Sequence, residues 1–155
     1  MNIAGMTFRR FIAALLMAAL TALAGAAGYD FGDRYAAVAY SPSTGKCGYA
    51  WNQASRRAAE AAAMSEVDAR DAKIVGWVTK GWLVLVVGGD FSYGVGWRFG
   101  SGAQLNTATK RALDECLKRT GTIRKIIRLG SGDFPPQVVS WDPPVGPEKV
   151  RFGTK

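Results

Sequence analysis

Two stretches of this chain share one rhythm of apolar and polar positions. Residues 35–51 read YAAVAYSPSTGKCGYAW and lead into ASRRAAEAAAMSEV and the apolar run KIVGWV. Residues 82–97 read WLVLVVGGDFSYGVGW and lead into NTATKRALDEC and the run TIRKIIRL. Each stretch predicts strand, turn, strand ending in Trp, helix, strand. Ser41-Pro42-Ser43-Thr44-Gly45 is turn chemistry, with Pro presetting one backbone angle and Gly tolerating a positive one. Small and aromatic residues alternate along Gly48-Tyr49-Ala50-Trp51, which puts both rings on one face. Ser55 is placed to cap the first helix, whose Ala59, Ala63, Met64 and Val67 recur at spacings of three and four. That stripe is narrow and mostly Ala, so the helix should lie close to its sheet.

The second helix has a fuller stripe: Leu105, Ala108, Ala112, Leu113, Cys116 and Leu117. Lys118 and Arg119 suit its negative end, and Gly121 stops it. Trp82 to Val87 shows no polar alternation, which predicts a central strand covered on both faces. Aligning Trp51 with Trp97 and then Val67 with Cys116 gives offsets differing by three, hence an insertion around Gly100–Gln104. These features predict an α+β fold over residues 35–130. Its two ββαβ pseudo-repeats would form one antiparallel sheet of about six strands with two packed helices. Ile74–Val78 and Trp82–Val87 are expected to be neighbouring antiparallel strands joined by Thr79-Lys80-Gly81.

The flanks read differently. Arg9 and Arg10 precede an uncharged apolar stretch, Phe11–Leu23, followed by Ala24-Gly25-Ala26-Ala27, the marks of a secretory signal peptide over residues 1–27. A membrane-spanning helix needs about 20 apolar residues, more than this run supplies. Periplasmic or secreted localisation is therefore expected, with no transmembrane anchor after cleavage. Residues 28–34 read as a short linker. Residues 131–155 carry Pro135-Pro136, Pro143-Pro144 and Pro147, and are expected to be an extended, weakly ordered tail with Trp141 as a docking point.

Charge narrows the partners. The chain has a formal net charge of +8, and losing Arg9 and Arg10 with the leader leaves it basic. Export makes nucleic acid the least expected partner; an acidic protein or an envelope component remains.

The chain contains no histidine. That removes the commonest general base, the Ser-His and Cys-His nucleophile pairs and the commonest metal ligand. Two cysteines without histidine do not build a standard zinc site. Thr44-Gly45-Lys46 lacks the earlier Gly and following Ser or Thr of a phosphate loop, because Tyr40 and Cys47 stand there. Gly94-Val95-Gly96 lies within a strand, away from any strand-to-helix turn. The carboxylates Asp33, Glu60, Glu66, Asp90, Asp114 and Glu115 read as solvated charges or turn residues. No catalytic residue, cofactor site or metal site is assigned. Cys47 and Cys116 either pair as a disulfide or stay as two buried thiols.

Two binding features remain. Tyr49, Trp51, Tyr93 and Trp97, with Tyr40 and Phe99 nearby in sequence, either form an aromatic platform for a glycan or protein or pack within the sheet. Lys118, Arg119, Arg124, Lys125 and Arg128 either bind an acidic partner or protect the final strand as a charged edge.

The order of YAAVAYSPSTGKCGYAW, SRRAAEAAAM, KIVGWV, GVGW and KRALDEC resembles the bacterial domain-of-unknown-function family 4189, from about Tyr35 to Leu129. The resemblance implies an exported, Gly- and aromatic-rich domain with cysteines near helix ends and the following strands. It implies no agreed activity. Cys116 matches a helix-end position, but Thr122 and Ile123 stand where its local partner would lie, and Val67 and Ala72 replace the corresponding pair in the first repeat. The expectation is a non-catalytic exported binding protein, of inhibitor or immunity type. The alternatives are an envelope- or glycan-binding module and, further off, an enzyme using carboxylates or Cys.

Overall fold

A computed structural model describes residues 30–100 and 102–150. The signal peptide expected over residues 1–27 falls outside the described residues, as do the last five positions. In chain order the elements are β1 (Tyr35–Tyr40), β2 (Cys47–Gln53), α1 (Arg56–Ser65), β3 (Lys73–Thr79), β4 (Gly81–Gly88), β5 (Tyr93–Phe99), α2 (Ala103–Leu117), β6 (Ile123–Gly130) and β7 (Gln137–Val145), then a 3-10 turn at Pro147–Lys149.

The α+β class and the repeat are present, but the strands do not form one sheet. They form a three-stranded sheet ordered β2-β1-β3 and a four-stranded sheet ordered β5-β4-β6-β7, all pairs antiparallel. The two sheets pack face to face with one helix outside each, in the layer order α1, first sheet, second sheet, α2. Three apolar layers separate them. Ala37, Ala39, Ala59 and Ala63 fill the first, and Val38, Tyr40, Val78, Leu83, Leu85 and Ile127 the second. Val84, Val86, Ala108, Ala112 and Ile126 contribute to the third, under α2.

The reason lies in β4. All eight of its residues are buried, as its unbroken apolar run predicts. Its edges are taken by β5 and β6 and its faces by α2 and the first sheet, so no edge remains for β3. The chain therefore steps between layers at Lys80, which holds a positive φ of 51°. The expected β3–β4 hairpin does not form.

Each repeat closes its own small sheet in matching register. Ala37 faces Ala50 and Ala39 faces Gly48; at equivalent places Val84 faces Gly96 and Val86 faces Gly94. A β-carbon on Gly48 would collide with the carbonyl oxygen of Ala63, and one on Gly94 with that of Ala112. Both helices thus ride on a strand backbone without a side chain between them. Ser55 caps α1, its Oγ accepting from Ala58 N at 3.1 Å.

The Pro-rich segment is extended, as expected, but part of it is tied into the fold. Residues 137–145 are not loosely ordered: they pair with β6, Gln137 opposite Arg128 and Val139 opposite Ile126. Trp141 and Val145 pack against the core beneath α2, which fulfils the docking role expected of Trp141.

Candidate functional site

The basic residues separate. Lys118 Nζ pairs with Glu115 at 2.6 Å, and Arg119 Nη1 donates to the Tyr93 carbonyl oxygen at 2.7 Å. Arg124 lies 3.8 Å from the Asp142 carboxylate on β7 and 5.6 Å from the centre of the Phe91 ring. Lys125 sits opposite Val87 on the inter-sheet side, and Arg128 opposite Val84 on the helix side, where burial lowers the pKa of its guanidinium. The five do not share one exposed face. Nor does this cluster protect a sheet edge along β6, because β6 lies between β4 and β7.

The aromatic residues separate too. Tyr49 and Trp51, 6.5 Å apart, lie on β2 and pack on the inter-sheet core. The Tyr93 ring centre lies 4.9 Å from that of Tyr40, the rings inclined at 58°, and the Tyr40 hydroxyl donates to the Phe91 carbonyl at 2.6 Å. Trp97 stands apart with Phe99, ring centres 5.3 Å apart, and both are exposed, at 41% and 58%. The four-residue platform does not assemble on one face.

What does assemble is a groove along β3. Its volume is about 680 Å³. Ile74, Val75, Gly76, Trp77 and Val78 of β3 form its floor, Arg56 and Glu60 of α1 one wall, and Val95, Trp97 and Phe99 of β5 the other. Trp77 is 37% exposed. The Arg56 guanidinium lies 4.4 Å from the centre of the Trp77 ring and 2.7 Å from Glu60, and Arg111 lies 5.9 Å from the centre of the Trp97 ring. Past Val75 and Val95 a second hollow of about 690 Å³ continues between Phe91, Tyr93, Arg111, Glu115 and Arg119. Apolar floor and cationic rim suit a partner with alternating apolar and acidic groups.

Trp77 was not a sequence candidate, because KIVGWV reads simply as an apolar strand. A signal was nonetheless present: Gly-Trp recurs at 76–77, 81–82 and 96–97. Trp82 is buried, whereas Trp77 and Trp97 both line the groove.

Both groove strands are sheet edges, and the ladders assign their backbone groups. Gly88 N donates to Ser92 O at 2.8 Å and Gly100 N to Lys80 O at 2.9 Å. Hydrogen-bonded and non-bonded pairs alternate in an antiparallel ladder. Gly94, Gly96 and Arg98 therefore bond to β4, while Tyr93, Val95, Trp97 and Phe99 direct N–H and C=O away from it. The bond from Arg119 to the Tyr93 carbonyl agrees. On the other sheet Ser41 N donates to Lys46 O at 3.0 Å, which places Ala39 and Ala37 in the bonded pairs with β2. Val38 and Ala36 then bond to Gly76 and Val78, and Trp77 and Thr79 direct their backbone groups outward.

The remaining titratable groups are occupied structurally. Asp33 pairs with Lys80 at 2.9 Å and Asp114 with Lys110 at 2.7 Å, while Asp90 accepts from the Ser92 hydroxyl at 2.7 Å and Glu66 from Tyr49 N at 3.4 Å. Cys47 and Cys116 are free thiols, so the disulfide alternative is not the one adopted in this structure. Burial raises the pKa of Cys47, and pushes that of Cys116 up to about 11, which leaves both as weak nucleophiles.

A family model described as Domain of unknown function (DUF4189) matches residues 35–128. The chain belongs to this family. The DUF4189 match covers both repeats and the whole groove, and ends before β7. No curated protein and no solved structure matches the chain.

Proposed function

We propose that this DUF4189 protein is an exported, non-catalytic binding protein of inhibitor or immunity type, whose β3–β5 groove receives another protein. The observation that carries the reading is the coincidence of three exposed aromatics, Trp77, Trp97 and Phe99, in one hollow beneath guanidinium groups. Aromatic and arginine side chains are the residue types that anchor protein interfaces. A surface that leaves this much apolar area open in one patch is a recognition surface more often than an accident of packing.

The test is affinity capture from bacterial envelope extracts, with the Trp97→Ala/Phe99→Ala double variant beside the natural protein. Both side chains are exposed, so the variant should melt where the natural protein does. Expected is a partner held at low salt, released at high salt and missing from the variant. Equal capture by both proteins, or no salt-sensitive partner, overturns the reading. Co-sedimentation with peptidoglycan that depends on the same two residues would instead assign the groove to a glycan.

A further inference from the structure

Resting on that reading, we propose that the partner enters as an extended, acidic segment that adds a fourth strand to the free edge of β3. The protein already contains the template for such an addition. Under the pseudo-symmetry of the repeats, β1 corresponds to β4, β2 to β5 and β3 to β6. Ser131 N donates to Gly81 O at 3.0 Å, so alternation gives Leu129, Ile127 and Lys125 to β4 and turns Arg128 and Ile126 outward. Those two face Gln137 and Val139 of β7. Ala37 faces Trp77 as Val84 faces Arg128, so Trp77 is the counterpart of Arg128. One repeat has its third strand covered by β7; among the described residues no strand pairs with the equivalent edge of the other, which carries outward amides at Trp77 and Thr79.

The groove has the shape such a strand needs. Its floor is the β3 edge, and the two walls, α1 and the inner face of β5, are the layers between which a fourth strand of the first sheet would slide. Main-chain hydrogen bonds would supply affinity, and Trp97 and Phe99 would take alternate side chains.

Charge selects the occupant. Arg56 lies 4.4 Å from the centre of the Trp77 ring in the groove, while in and beside the adjoining hollow Arg111 lies 5.9 Å from the centre of the Trp97 ring and Lys73 5.9 Å from that of Tyr93. The carboxylates lining the two hollows, Glu60 and Glu115, are already paired with Arg56 and Lys118. A second copy of this chain, itself basic, would bring like charge to the same place. A segment with Asp or Glu alternating with apolar residues meets both the rim and the floor.

The probe is a display library of random twelve-residue peptides panned against the full-length protein. The tightest selected peptide then goes into amide hydrogen exchange with the natural protein. Enriched peptides should carry Asp or Glu at alternate positions. At free peptide ten times its Kd, exchange at Trp77 and Thr79 should slow about tenfold. Gly76 and Val78, already bonded to β1, should not change. Enriched peptides that protect Val95 and Trp97 instead, or no amide, overturn strand addition at β3 while leaving groove binding intact. Enrichment without acidic residues overturns the stated occupant, and protection that grows with protein concentration alone assigns the edge to a second copy. No enrichment overturns the inference, and the capture experiment then decides separately whether the groove binds a folded surface.

Discussion

At the scale of single residues, the polar groups work mostly as fasteners. Asp71 shows how. Its carboxylate accepts from the Ser41 hydroxyl at 2.5 Å and from Ser43 N at 2.9 Å, tying the β1–β2 turn to the loop before β3. These bonds, the hydroxyl's foremost, hold its pKa down from 3.8 to about 2. A group with a depressed folded-state value stabilises the fold above its unfolded value and loses that effect as pH falls through the folded one. Asp71→Asn should therefore lower the urea midpoint at pH 6, and the difference should close as pH drops from about 4 to about 2. A difference unchanged at pH 2 would mean that shape, not charge, makes the contact. Because the carboxylate is fully exposed, the effect is read as a closing gap between midpoints and not as a fixed energy.

At the scale of elements, the hydrophobic rhythm revealed the strands, the helices and the three-residue offset between repeats, because periodicity is a local property. It did not reveal the partition into two sheets. Pairing is non-local: what moved β3 away from β4 was that β6, far along the chain, takes the second edge of β4. β7 was obscured by composition, since Pro143 and Pro144 argue against a strand. They are tolerated because they lie where the β6–β7 register shifts, on a strand bonded along one side only. The groove was half legible. Trp97 was a candidate, whereas the exposure of Trp77 follows from a neighbouring strand that the first sheet lacks. That β7 belongs to the fold is open to measurement through Trp141, its anchor under α2. Trp141→Ala should cost about 2 kcal/mol, less than a fully buried Trp, and lower the urea midpoint with little change in slope. A midpoint within error of the natural protein would make β7 an ornament on the sheet edge.

At the scale of the whole molecule, the repeat is a division of labour within one core. Neither half can bury its sheet alone. The inner faces of β1 and β4, Val38 and Tyr40 on one side and Leu83 and Leu85 on the other, are covered only by each other. The repeats should therefore unfold together, and a cavity in the shared layer should loosen both. Leu85 is fully buried there. Leu85→Ala should destabilise by about 3 kcal/mol, which raises global amide exchange by about two orders of magnitude. The amides of Val38 in β1 and Val84 in β4 should accelerate by the same factor, although only the second sheet carries the substitution. Acceleration confined to β4, β5 and β6 would instead show two half-domains that fold separately and merely touch. The common factor is expected because removing either sheet strips the other of its inner cover, so there is no partly unfolded state in which one repeat keeps its apolar face dry.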